Sequence, residues 1–325
     1  MQAVLAPMTG INRHSCLWYI DAQATPLHMA EVQGVYAAAI TPRGKQGEVD
    51  FGAAFELVDF LAGGGVSGVA LFTGAGEYAA FSVEERSRLV YLATKRSRVP
   101  VLAGVGSATL DHSVALAREA RDAGVDGLLL PPPYFFRYRQ DDVHEFYLQF
   151  AAHLGTGAAT FLSNHPVYTT GIEPETARAL MATGHFAGIE DGSGDPQTFA
   201  CMKTAASCVL AGNDPFLPSA LRAGAHGAVS GVAGAVPELV TALDRAIRAG
   251  EEAEAEALER RMQDFIAWCQ ELPQPAVLRM AVELRGIQTG APSVPLSPSK
   301  QKRMEEFREW FQDWLPAAKK RSANA

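Results

Sequence analysis

Cysteine is scarce in this chain and nowhere paired. Cys16, Cys201, Cys208 and Cys269 are scattered, without the short spacings that zinc sites and disulfide frameworks use. Reduced thiols in a cytoplasmic protein are the expectation, and no ligand pattern asks for a metal or another cofactor. Basic residues are outnumbered, 28 Lys and Arg against 36 Asp and Glu, so the net charge of −8 leaves no extended positive surface for a nucleic-acid backbone. No apolar run reaches the roughly 18 residues that a membrane-spanning helix requires. Neither nucleic acid nor membrane is an expected partner. Lysine is rare as well: Lys45, Lys95, Lys203, Lys300, Lys302, Lys319 and Lys320 are all there are, and none ends an apolar run of strand character. The first 33 residues are not expected to be an export signal, because Asn12, Arg13 and His14 stand where its apolar stretch would lie. Those residues also lack periodicity, and read as a loosely ordered arm or as an over-long start with Met29 the alternative initiator.

What is present is the composition of a globular protein with a large core, 48% hydrophobic and 20% charged, with 30 glycines. From Gly34 onward, short apolar runs alternate with helical patterns, which predicts a parallel sheet. Val35 to Thr41 precedes a helix that starts after Asp50 and stops at Gly63-Gly64-Gly65. Val69 to Phe72 leads to Ser82 and Glu85, a capping box that opens the next helix. Strands at Val101 to Val105, Gly127 to Leu130, Ala159 to Leu162, Phe186 onward, Cys208 to Ala211 and Gly227 to Ser230 each precede a helix, the later ones opening on proline. Eight such units close a sheet into a (β/α)8 TIM barrel. Helices over Glu251 to Gln270, Gln274 to Leu284 and Ser297 to Trp314 form a C-terminal helical cap, with a frayed tail from Pro316. The expected division is an arm over 1–33, the barrel over 34–250 and the cap and tail over 251–325.

In such a barrel the reactive groups sit on loops at the carboxyl ends of the strands. The candidate stretches are Thr73 to Glu77, Pro132 to Tyr138, Ser163 to Thr170, Glu190 to Asp195, Gly212 to Asp214 and Ser230 to Gly234. The Phe186 to Asp195 stretch stands out, since its apolar run ends by projecting Glu190 where the chain turns. Buried there, a carboxyl would have its pKa raised and could transfer protons near neutral pH. His165 is the candidate partner acid or base. His226, ahead of the eighth strand, reads as structural.

In this order, Gly76-Glu77, Pro133-Tyr134, Asn164 and Pro166 before Gly171, Gly188 with Asp191-Gly192-Ser193-Gly194, Gly212 with Asp214, and Gly224, Gly227 and Ser230 resemble the dihydrodipicolinate synthase and N-acetylneuraminate lyase family. The resemblance covers about Gly34 to Gly290. It implies a pyruvate-dependent aldolase fold, a small 2-oxo or hydroxy acid as ligand, and a homotetramer built as a dimer of dimers. The family's Schiff-base lysine falls on Glu190, and a carboxylate cannot condense with a ketone. Its proton-relaying tyrosine falls on Ser163, the second tyrosine of its strand-four pair on Phe135, and its carboxylate-gripping threonines on Gly74 and Ala75. Its arginine for a distal carboxylate should lie where this chain has Tyr168. The family uses no metal, although Glu77, Asp191, Asp214 and Glu190 could be weighed as magnesium ligands.

The candidate catalytic residues are therefore Glu190, His165, Ser163 and Tyr134, and the candidate substrate contacts Thr73, Gly74, Ala75, Asn164, Gly212 and Ser230. Two functions compete: a lyase that works without a Schiff base, and a non-catalytic protein that keeps the pocket for binding or regulation.

Overall fold

The computed structural model describes residues 32–206 and 208–319, so the arm expected over 1–33 lies outside the described residues apart from Val32 and Gln33. Eight strands, β1 Gly34–Ala38, β2 Gly68–Leu71, β3 Val101–Gly104, β4 Gly127–Leu130, β5 Thr160–Asn164, β6 Gly188–Asp191, β7 Val209–Ala211 and β8 Gly227–Ser230, form one closed barrel. Every pairing is parallel, and β8 returns to β1 through Gly34↔Gly227. Strands covered on both faces have no solvent side, which is why they read as continuous apolar runs rather than alternating ones.

The helices α1 Phe51–Gly63, α2 Val83–Arg96, α3 Leu110–Ala123, α4 Gln140–Leu154, α5 Pro174–Ala182, α6 Pro196–Ala205, α7 Leu217–Arg222 and α8 Pro237–Ala249 follow the strands in turn. Their ends are set locally. Asp50 accepts the Ala53 amide at the start of α1, and Ser82 and Glu85 form the reciprocal box that opens α2. The helix expected from Pro215 begins only at Leu217, because Asn213 takes the Phe216 amide into a turn first. This is a (β/α)8 barrel. Among the described residues no helix is long and apolar enough to cross a membrane.

Three further helices, α9 Glu252–Glu271, α10 Gln274–Glu283 and α11 Pro298–Lys319, complete the described chain. The tail expected to fray from Pro316 instead stays helical to Lys319. A proline inside a helix costs about 3 kcal/mol, and here packing offsets it. Phe307 and Phe311 are fully buried, and Trp310 and Trp314 stack beside them with Phe265 and Trp268 of α9 in reach.

The cap is tied to the barrel by a buried charge. Arg279 of α10 donates to the Glu77 carboxylate, to the Thr41 carbonyl at 2.8 Å and to the Thr289 carbonyl at 2.7 Å. Ser293 donates to the other Glu77 oxygen. Arg279→Met would leave the carboxylate and two carbonyls without their donor. We expect a loss of about 3–5 kcal/mol, measured as a lower urea midpoint with an unchanged denaturant slope.

Candidate functional site

Register brings the central groups together. In the β5–β6 ladder Ser163 lies opposite Glu190 and Asn164 opposite Asp191, so residues 27 positions apart in sequence become neighbours. Their side chains divide the labour. Ser163 donates its hydroxyl to Oε2 of Glu190, while Nε2 of His165, just past β5, lies 3.0 Å from Oε1. Asn164 donates to Asp191 at 2.8 Å and accepts the Ile172 amide at 2.9 Å, which fixes the path of the loop that carries His165.

Gly192 follows β6 because nothing larger fits. A Cβ there would stand 2.1 Å from Nδ1 of His165, so the bare backbone is what lets the imidazole lie down on Glu190. Glu190 is 2% exposed and the His165 side chain 22%.

The protonation state differs from the sequence-based expectation. Burial does push the Glu190 carboxyl up, but the His165 charge and the hydrogen bonds from His165 and Ser163 outweigh it, and its pKa ends below the ordinary value. Burial opposes charge on His165 too, yet Glu190 outweighs it and holds the imidazole pKa above its ordinary value. Glu190 is thus not a carboxylic acid poised near neutrality. The two shifts are mutual: His165 favours the carboxylate form of Glu190, and Glu190 favours the protonated form of His165.

Glu190 and His165 form one side of a cavity of about 390 Å³ at the carboxyl end of the barrel. Thr73, Gly74, Ala75 and Gly212, four of the candidate substrate contacts, line it. Ser163 faces a narrow crevice that branches from it beside Tyr78 and Thr73. Thr73 itself follows Phe72, a buried aromatic held in the left-handed region at φ 55°, and the Thr73 hydroxyl has no hydrogen-bond partner among the described residues. Backbone strain of this kind collects at functional sites.

Three of the chosen residues lie elsewhere. Tyr134 lines neither space, and instead packs edge-on against Tyr78 at 5.5 Å. Asn164 spends its amide on Asp191 and the Ile172 amide, as described above. Ser230 is fully buried and donates to Asp214, whose other oxygen takes the Val232 amide at 3.1 Å. Asn164 and Ser230 are scaffold rather than lining. The four carboxylates weighed as metal ligands are not gathered either: Glu77 faces Arg279, and among the described residues no group of three or more His, Cys, Asp or Glu is placed to hold a metal ion.

Two other lining groups fall within the candidate stretches without having been singled out as site residues. Tyr168 leans over Gly74, tilted against His165 at 6.1 Å, and Asn213 stands at the β7 end. The cap contributes a whole wall, with Ile266, Cys269 and Gln270 from the end of α9 and Gln274 from the start of α10. Among the described residues no lysine lines the cavity. Lys203, the nearest in sequence, lies outside on α6 and donates to the Ala223 carbonyl.

A family model described as the dihydrodipicolinate synthetase family matches residues 31–313. A 4-hydroxy-tetrahydrodipicolinate synthase from Bacillus velezensis is 29% identical, over 82% of this chain and 94% of its own. Among solved structures, the 4-hydroxy-tetrahydrodipicolinate synthase from Methylacidiphilum fumariolicum superposes with a TM-score of 0.79 at 26% identity, covering 88% of this chain and 98% of its own. The sialic acid aldolase of Ruminococcus gnavus has the same fold, with a TM-score of 0.81 at 23% identity over 88% of this chain and 99% of its own.

The ion pair sets a pH window. The His165 contribution to stability is complete below its ordinary pKa of 6.5 and is lost as pH rises through the raised folded value. The Glu190 contribution is complete above 4.5 and is lost as pH falls through the lowered folded value. Between 4.5 and 6.5 both are present in full. In Glu190→Gln burial would oppose charge on His165 with only Asp191 left to favour it, so the His165 pKa should fall from its wild-type value, read by NMR titration of the His165 Cε1 proton. An unchanged His165 titration would mean that the pair does not form in solution.

Proposed function

The chain belongs to the dihydrodipicolinate synthetase family, and we propose that it is a lyase of the aldolase or hydratase/dehydratase type that acts on a small 2-oxo or hydroxy acid without a Schiff base. The observation that carries this is the buried Glu190–His165 pair beside the cavity, at the position the family resemblance assigns to an imine-forming lysine. The names of its relatives, a synthase and an aldolase, support lyase chemistry in general.

Without an imine, the electron withdrawal that loosens a bond next to a carbonyl has to come from a proton or a hydrogen bond. His165 is the donor of choice. As an imidazolium with about a fifth of its surface open to the cavity, it can protonate a carbonyl oxygen or a departing hydroxyl. Glu190 keeps it charged before the transfer and stabilises its return afterwards. Ser163 occupies the second Glu190 oxygen, so the carboxylate cannot rotate away from the imidazole. Thr73, Gly74 and Ala75 share the cavity lining with His165 and are the proposed contacts for the substrate's acid end.

A second reading has its own support. Both oxygens of Glu190 are already engaged by protein donors, as in a carboxylate retained for structure, which fits a binding or regulatory protein that has kept the pocket. For either reading we expect a cytoplasmic homotetramer, a dimer of dimers. The exposed, mutually packed Phe135 and Phe136 on the loop after β4 are suited to a subunit contact.

His165→Asn and Glu190→Gln should each lower turnover by about a hundred- to ten-thousandfold across a panel of sugar acids and 2-oxo acids. Wild-type rates in both variants would remove the pair from the mechanism. Ligands that raise the melting temperature but are never turned over would favour the second reading. Pyruvate with borohydride should leave the protein mass unchanged, since a reduced lysine adduct would restore the Schiff-base route. Light scattering should return four copies of the 34.7 kDa chain.

A further inference from the structure

The wall built by α9 and α10 differs chemically from the floor built by β5 and β6. The floor holds the charges, and the wall offers carboxamides. Gln270 and Gln274 both line the cavity, and neither amide has a hydrogen-bond partner among the described residues. Nε2 of Gln274 is tucked so close to Gly231 that a Cβ there would lie 3.0 Å from it, with Asp214 Oδ2 on the same spot at 3.2 Å. Asn213 spends its oxygen on the Phe216 amide at 3.1 Å, and its NH2 has no partner among the described residues. The Tyr168 phenol, which leans over Gly74, is a further neutral group of the lining.

Cations are missing from this half. Among the described residues no arginine or lysine lines the cavity, and Arg279, a little over a turn beyond Gln274 on α10, is wholly committed to Glu77 and two carbonyls. His165 is the sole cationic group of the lining, and Glu190 neutralises it. Asp214 adds negative potential where the wall meets β7: burial raises the Tyr168 and Cys269 pKa values, and Asp214 adds to the rise in both. A carboxylate in the outer half would stand near Asp214 with no cation to pair with, whereas a neutral group there would meet no such repulsion.

We propose that the α9–α10 turn makes the outer half of the cavity a subsite for an uncharged, hydrogen-bonding group, a hydroxyl or an amide carbonyl, so that the ligand carries a carboxylate at no more than one end. Gln270, Gln274 and Asn213 select the neutral end. This rests on the cavity being the substrate site, but not on the proton-transfer role of His165.

The test is isothermal titration of the full chain with two six-carbon probes that share their hydroxyls, an aldonate with one carboxylate and the corresponding aldarate with two. The aldonate should bind at least about tenfold tighter. Gln270→Ala and Gln274→Ala should each weaken it about three- to tenfold, with melting temperatures near wild type as the check on folding. Gln274→Arg, which brings a guanidinium to the wall, should narrow the preference by improving aldarate binding. Equal or tighter binding of the aldarate to wild type would overturn the subsite, as would failure of both probes to bind or indifference to all three substitutions. Turnover that depends on His165 together with equal binding of the probes would remove the subsite alone. Aldonate binding without turnover would leave the subsite standing and remove the proposed chemistry.

Discussion

A carboxylate buried at the carboxyl end of β6 has to find its compensation within hydrogen-bonding distance, and the arrangement around the cavity answers that demand. Born-type desolvation makes an isolated buried charge untenable, so Glu190 is either protonated or partnered. Strand β5 supplies both partners, Ser163 directly through the parallel register and His165 from the loop beyond it. The hydrogen bonds of Asn164 steer that loop, and the missing side chain of Gly192 lets the ring settle. The result is a floor whose charges cancel one another while keeping one transferable proton.

The cap is part of this design rather than an appendage. Helix α10 places Gln274 on the cavity wall and, farther along, sends Arg279 to Glu77. Glu77 ends the loop that supplies Thr73, Gly74 and Ala75, and that loop is bracketed by two non-glycine residues in the left-handed region, Phe72 and Glu77 itself. A backbone held in that shape needs outside restraint. The guanidinium supplies it, so the same helix both lines the cavity and steadies the loop that helps to line it.

Much of this was legible in the chain before any coordinates. Eight alternations of apolar run and helical pattern, the Ser82 to Glu85 capping box and the prolines that open α5, α6 and α8 are local signals, and local physics decides them. The strand-end residues Glu190, His165, Thr73 and Gly212 were within reach for the same reason, because fold geometry dictates which end of a strand carries the site. What stayed hidden depended on direction and distance. Whether Glu190 is acid or carboxylate turns on where one imidazole points, and nothing in the sequence records that. Asn164 and Ser230 occupy suitable positions but face inward, each consumed by a neighbouring aspartate. Gln270 and Gln274 belong to helices far down the chain, and only the packing of α9 and α10 over the mouth brings them to it. Pro316 misled in the opposite sense, because an aromatic stack outweighed a local breaker.

The close fit of His165 over Gly192 constrains residue 190. Were residue 190 a lysine, its ammonium would emerge against an imidazole that the glycine floor and the tethered loop hold in place, and Ser163 would offer it only a single hydroxyl. Each of these neighbours suits the acid and opposes the amine. An amine at this position would therefore ask His165 and Ser163 to adjust with it, so the three residues behave as a set rather than as one replaceable side chain.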